Sequence, residues 1–269
     1  MRIIKTLKSR RPFSFSPTEG AALNIPTSWG SLTQPQQRYI LWLMTQYNNT
    51  DVIKTMVLVR VCGIHIIKKT DLGWLCRNSG PFWSRHRFFL RSMAVASMLQ
   101  YLDFIDQRDD PDIRLDSLCH GRYQARDAKL HGIAFGDYIA LENYYNGYLQ
   151  SKADECLDSM AHILYVHHDN HGRTYPMPVR RLSHIERLSV LLWFGAVKSI
   201  LAKSFPDFFR PTDGESANMI DIMNAEIRAL TGGDITREQQ VKDSDCWRAL
   251  TELNAKAKEI SEFNTKYGK

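Results

Sequence analysis

Apolar residues recur at helical intervals along most of the chain. Tyr39, Leu43 and Tyr47 share one stripe with Ile40 beside it, which predicts a helix running to about Tyr47. Its start is marked by Thr33 and Gln36, a capping-box pair, with Pro35 in the first turn, where a missing N–H is no loss. Asp51 to Cys62 is rich in β-branched residues, yet Ile53, Val57 and Val61 keep helical spacing, so a helix ending at Gly63 is expected. Ile64 to Lys68 and Trp74 to Arg77, joined by Thr70-Asp71-Leu72-Gly73, read as a β-hairpin, with Phe82 to Leu90 a candidate third strand. Ser92 to Asp106 returns to helical spacing through Val95, Met98, Leu99, Leu102 and Ile105.

Residues 107–134 are polar and rich in Asp and Arg, and they read as a connection between two parts. Helices are then predicted over Asp137 to Gln150, Asp154 to Tyr165 and Ile185 to Ser204, with a loop over residues 166–182. Beyond Pro206 and Pro211, Met219 to Leu230 forms a helix that Gly232-Gly233 ends, and a last helix runs from about Thr236 to Lys266. In that helix Cys246, Leu250, Leu253, Ala257 and Ile260 step 4-3-4-3, a coiled-coil-like seam with Trp247 beside it and Phe263 extending it. The expected fold is mainly α: a helical bundle with a small β-hairpin in the N-terminal half and a C-terminal helical hairpin. The expected organisation is a basic arm (1–24), an α+β subdomain (25–106), a connection (107–134), a helical bundle (135–213) and the C-terminal hairpin (214–269).

Composition narrows the class. The 269 residues are 43% hydrophobic and 24% charged with a mean hydropathy of −0.35, which excludes collagen, mucin and bulk disorder. The longest apolar run, Val190 to Val197, is far short of the roughly 20 residues that span a bilayer, so no membrane association is expected. The net charge of +6 is uneven: residues 1–100 carry 14 Lys/Arg against 3 Asp/Glu. Such a basic third attracts nucleic acid, an anionic surface or an acidic protein. Five scattered cysteines without a CxxC argue against a disulfide framework or a zinc ribbon and fit a reducing cytoplasm. The N-terminus lacks the apolar stretch of a secretory signal.

Candidate chemistry is sparse. His167, His168, Asp169 and His171 are ligand types, but they sit in one expected loop with no ligand from a second element, so no bound metal is expected. Cys119-His120 pairs a thiol with a base, but adjacent side chains rarely face each other. Asp103, Asp106, Asp109, Asp110 and Asp112 lack the glycine and terminal glutamate of a calcium loop. The phosphate-binding glycine motifs and GxSxG are absent from the sequence. No catalytic residue and no cofactor is therefore expected. The stretch Trp83-Ser84-Arg85-His86-Arg87-Phe88-Phe89 alternates aromatic and cationic residues in a way that suits stacking on single-stranded nucleic acid. With Arg10, Arg11 and Arg91 added, Arg85 and Arg87 make up the alternative, nucleic-acid-binding reading.

Three blocks carry a family resemblance. They are Ile25-Pro26-Thr27-Ser28-Trp29 with Leu32-Thr33 and Gln36; Phe135-Gly136-Asp137-Tyr138-Ile139 with Glu142-Asn143-Tyr144-Tyr145 and Leu164-Tyr165; and Ala229-Leu230-Thr231-Gly232-Gly233-Asp234 with Trp247-Arg248-Ala249-Leu250-Thr251-Glu252-Leu253. Together they resemble uncharacterised proteins of prophage tail-gene clusters, and the first two loosely resemble tail-assembly chaperones. The blocks are short, and the hairpin at 64–77 and the basic first third depart from that family. The resemblance implies a non-catalytic, cytoplasmic helical factor that holds tail-tube or tape-measure subunits before assembly. Independently of the resemblance, the apolar seam of the last helix makes Cys246, Trp247, Leu250, Leu253, Ala257, Ile260 and Phe263 the expected binding surface for a partner protein or a second copy, the alternative being that the seam packs back on its own domain. Binding to nucleic acid is expected to be weak and indifferent to sequence.

Overall fold

A computed structural model describes residues 13–15, 23–79, 85–210, 225 and 227–267. It is 57% helical and carries antiparallel sheets of three and four strands, so the fold is mixed α/β, not mainly α with one hairpin. The additional strands lie in residues 117–176 and, at two to four residues each, are too short to show a period-two pattern. The chain clusters into two compact units, residues 1–108 and 109–269.

The first unit opens with β1 (Phe13–Phe15) paired to β2 (Leu23–Ile25). Helix α1 (Gln34–Gln46) starts where the Thr33 amide donates to Gln36 Oε1 at 2.8 Å, as a capping box requires. Helix α2 (Thr50–Val61) is capped by Asn49, whose side chain accepts from the Asp51 and Val52 amides. Then β3 (Ile64–Thr70), β4 (Gly73–Asn78) and β5 (Arg87–Arg91) form an antiparallel sheet in that order, followed by α3 (Ser92–Gln100). One face of the sheet buries Ile64, Cys76, Phe88 and Leu90, and α2 and α3 pack on the sheet. Trp29 is fully buried; its Nε1 donates to the Phe104 carbonyl at 3.1 Å and its ring meets Phe104 edge-on. The buried Lys54 is neutralised by Asp103 and Asp106.

Gly73 fixes the β3–β4 turn. Its φ of 148° belongs to glycine, and a Cβ there would lie 2.0 Å from the Leu90 carbonyl oxygen on the neighbouring strand. Gly73→Ala is expected to destabilise the protein by about 1–3 kcal/mol, measured by denaturant unfolding. A variant as stable as the parent would mean that the sheet opens at this corner without penalty.

The second unit is built on α6 (His184–Ser204), with α4 (Phe135–Ser151) packed on α5 (Asp154–Leu164) and α5 on α6. Helix α6 starts in a capping box, the Ser183 amide and hydroxyl both reaching Glu186 Oε2. Its core side chains are Val190, Trp193, Phe194, Ala196, Val197 and Leu201, met by Tyr138, Tyr145 and Tyr165. Strands β6 (Ser117–Leu118), β7 (Tyr123–Ala125), β8 (Tyr165–His168) and β9 (Thr174–Pro176) make the second sheet in sequence order.

The segment expected to be a connection, 107–134, begins at the division between the units, and its residues 109–134 are part of the second. Buried side chains satisfy its backbone. The Leu115 amide donates to Ser189 Oγ (2.9 Å), the Tyr165 hydroxyl to the Leu115 carbonyl (2.9 Å) and Trp193 Nε1 to the Ala128 carbonyl (2.8 Å). Residues 166–182 also differ from the expected loop, because β8 and β9 pair as a hairpin across them.

The predicted last helix is broken. A 3₁₀ turn (Ile235–Arg237) and a short helix (Glu238–Lys242) precede α7 (Cys246–Tyr267). Most of the helix expected over Met219 to Leu230 lies outside the described residues; those described there, 225 and 227–230, are helical.

Candidate functional site

The α7 seam divides into two halves. At its start, the Cys246 amide donates to the Ile133 carbonyl, the Phe135 amide to the Ser244 carbonyl, and Trp247 Nε1 to the Lys129 carbonyl (2.8 Å). The Trp247 ring stacks on His131 and meets Phe205 edge-on. Cys246, Ala249, Leu250 and Leu253 are buried. One turn on, Asn254 Oδ1 accepts from the Asp207 and Phe208 amides. Up to this point the helix belongs to the core of its own unit. Ala257 is half-buried, while Ile260 and Phe263 are 62% and 63% exposed. Of the seven residues predicted to bind a partner, the structure therefore places Cys246, Leu250 and Leu253 in the core, engages Trp247 internally, leaves Ala257 half-buried, and exposes Ile260 and Phe263.

The residues of the nucleic-acid reading fall on β5 and just before it. Arg10 and Arg11 lie outside the described residues, as do Trp83 and Ser84. Arg85, Arg87 and Arg91 are exposed. Strand β5 alternates strictly, with Phe88 and Leu90 inward and Arg87, Phe89 and Arg91 outward.

The ligand-type clusters do not converge. His167 and His168 are neighbours on β8; the His167 ring meets Tyr123 edge-on, and His168 Nδ1 pairs with Thr174 Oγ1 at 3.0 Å. Asp169 caps the hairpin turn, accepting from the His171 and Arg173 amides. Among the described residues no group of three or more His, Cys, Asp or Glu side chains is placed to hold a metal. The aspartate run is used piecemeal: Asp103 and Asp106 pair with Lys54, Asp109 with Lys203 and Asp112 with Arg114, while Asp110 caps a 3₁₀ turn. Cys119 and His120 form a tight turn between β6 and β7 with φ of 51° and 59°.

Burial pushes the Cys62 and Cys246 thiols up to about 12 and the Cys76 thiol up to about 11. These three therefore stay protonated, and poorly nucleophilic, at neutral pH.

Sequence reasoning missed two charged clusters, both in the second unit. Arg187 grips Asp158 through two parallel hydrogen bonds of 2.9 and 2.7 Å and also reaches Asp154; Arg187 and Asp158 are each 5% exposed. Desolvation works to raise the Asp158 pKa, but hydrogen bonds from Arg187 and the Leu182 amide outweigh it and hold the carboxyl below its usual range. Glu142 accepts from the Tyr138 hydroxyl (2.8 Å) and from Lys198, whose ammonium also lies over the Tyr145 ring. In both clusters each carboxylate is engaged by donors of its own unit, which suits pinning helices together. A signal for them existed in Asp154 and Asp158, four apart on a helix and so on one face, although their partner 29 residues away from Asp158 carries no pattern.

Comparison with protein-family profiles, with curated protein sequences and with solved structures gives no match. Among the described residues no helix is long and apolar enough to cross a membrane.

Proposed function

We propose that this protein is a non-catalytic, cytoplasmic assembly factor of the phage or prophage tail type, which binds a tail-tube or tape-measure subunit through the C-terminal half of α7. One observation carries this reading. The helix runs about four turns beyond its last buried seam residue, Leu253, and keeps Ala257, Ile260 and Phe263 on the same face with Ile260 and Phe263 exposed. The first half of the seam anchors the helix, so the second half is presented on a rigid base. Five scattered cysteines without a CxxC fit the cytoplasmic placement.

The test is co-expression of the full chain with candidate tail-tube and tape-measure subunits, followed by size-exclusion chromatography. A complex is expected with the parent and is expected to be lost with Ile260→Asp, while the melting temperature stays within about 2 °C, as for a surface change. A complex that survives Ile260→Asp, or none with any such subunit, would remove the reading. Self-association abolished by the same change would replace the tail subunit with a second copy.

A further inference from the structure

Going beyond that reading, we infer that the outward face of the β3–β4–β5 sheet is a binding surface for single-stranded nucleic acid, with Phe89 as a base-stacking platform between cations that take the phosphates. The strand register assembles the surface. His65 pairs with Arg77 and Arg77 with Arg87; Lys68 pairs with Leu75 and Leu75 with Phe89; Thr70 pairs with Gly73 and Gly73 with Arg91. Residues paired across an antiparallel ladder point to the same face, so these three rows share one side of the sheet. It is the side opposite Ile64, Cys76, Phe88 and Leu90, which face the core.

The charge is one-sided. The three strands contain Lys68, Lys69, Arg77, Arg87 and Arg91 and no carboxylate, and all but Lys69 of these cations lie in the outward rows. Arg87 and Arg91 flank Phe89 at two residues' distance on either side, about 7 Å along a strand. Phe89 is 38% exposed, an aromatic ring left open amid cations. On the central strand, Arg77 stands between His65 and Arg87 in one row, and its Nε is buried without a hydrogen-bond partner among the described residues. Phosphate alone would be satisfied by the cations. The ring supplies the second half of the recognition, because every base offers a π-face to stack on. An acidic protein would use the cations and have no need of the ring, and that difference separates the two.

The experiment is fluorescence anisotropy with the full-length protein and three labelled probes: oligo(dT), oligo(U) and polyglutamate. The expected result is binding of the oligonucleotides that weakens steeply with salt, with oligo(dT) against oligo(U) telling whether the sugar matters. Phe89→Ala is expected to weaken oligonucleotide binding roughly ten- to a hundred-fold without changing any binding of polyglutamate, and Phe89→Tyr to restore it. Arg87→Ala and Arg91→Ala each lower the slope of log affinity against log salt by about one. These two outward-facing variants and Phe89→Tyr carry the test should Phe89→Ala fold poorly. Polyglutamate binding as tightly as oligo(dT) would overturn the inference in favour of an acidic protein partner. It is equally overturned if oligo(dT) and oligo(U) fail to bind at low salt, or if affinity is unmoved by all of these changes.

Discussion

Replacing Arg187 with Met is expected to destabilise the protein by about 3–5 kcal/mol, the cost of leaving a buried carboxylate without its partner. Among the described residues Asp158 would keep only the Leu182 amide hydrogen bond, at 3.1 Å. The pH dependence separates this cause from simple loss of packing. In the parent, the Asp158 pKa is held below its unfolded value, so its contribution is present above about pH 4 and is lost as pH falls through the folded pKa. In Arg187→Met the desolvation that now opposes ionisation is no longer offset, so the Asp158 pKa rises above its unfolded value. The sign then reverses, and the variant recovers part of its lost stability as the solution is acidified from neutral toward the carboxylate range. Urea unfolding of parent and variant at a series of pH values checks both statements. A variant whose deficit is the same at every pH would show that the ion pair is not the origin of the effect.

Leu250→Ala is the second large effect, about 2–5 kcal/mol, because Leu250 is fully buried at the base of α7 and its removal leaves a cavity. Ile260→Ala, ten residues further along the same helix, should stay within about 0.5 kcal/mol. The contrast locates the point at which α7 ceases to be core. Equal losses at both positions would mean that the whole seam is packed, and the exposed half would then offer nothing to a partner.

The helices were largely legible because each carries a local signal. Thr33 and Gln36 mark the start of α1, and Ile53, Val57 and Val61 keep helical spacing along α2; the Asn49 and Ser183 caps, which act within four residues of the helices they start, are further local signals. The strands of the second sheet were not legible. Ser117–Leu118 pairs with Tyr123–Ala125, which is held by β8, about 40 residues away, and side chains of α6 satisfy their surroundings. Such information lies in pairs of residues far apart in the chain, and no window of neighbours contains it. The seam of α7 was read correctly as apolar, but periodicity cannot tell a buried stripe from an offered one. That distinction came from Trp247 and Asn254, polar-tipped side chains whose partners, at Lys129 and Asp207–Phe208, no helical wheel reveals. The outward face of the first sheet was glimpsed in Arg87, Phe89 and Arg91, whereas Lys68 and Arg77 joined it only through the strand register.

The bridge between Ala134 and Asp245 ties the order of synthesis to the order of folding. The pairs that complete the first unit lie within the first 108 residues, so it can close while the ribosome is still making the rest. The second unit has no such freedom. Its segment 129–135 is completed by Ser244, Cys246 and Trp247, and the backbone after α6 by Asn254. Until the chain has been translated past residue 254 and has cleared the exit tunnel, the surface of α4 that α7 will cover stays open. A chain terminated between residues 214 and 244 would therefore combine a finished first unit with a permanently incomplete second one, a product fit for proteolysis rather than for partial function.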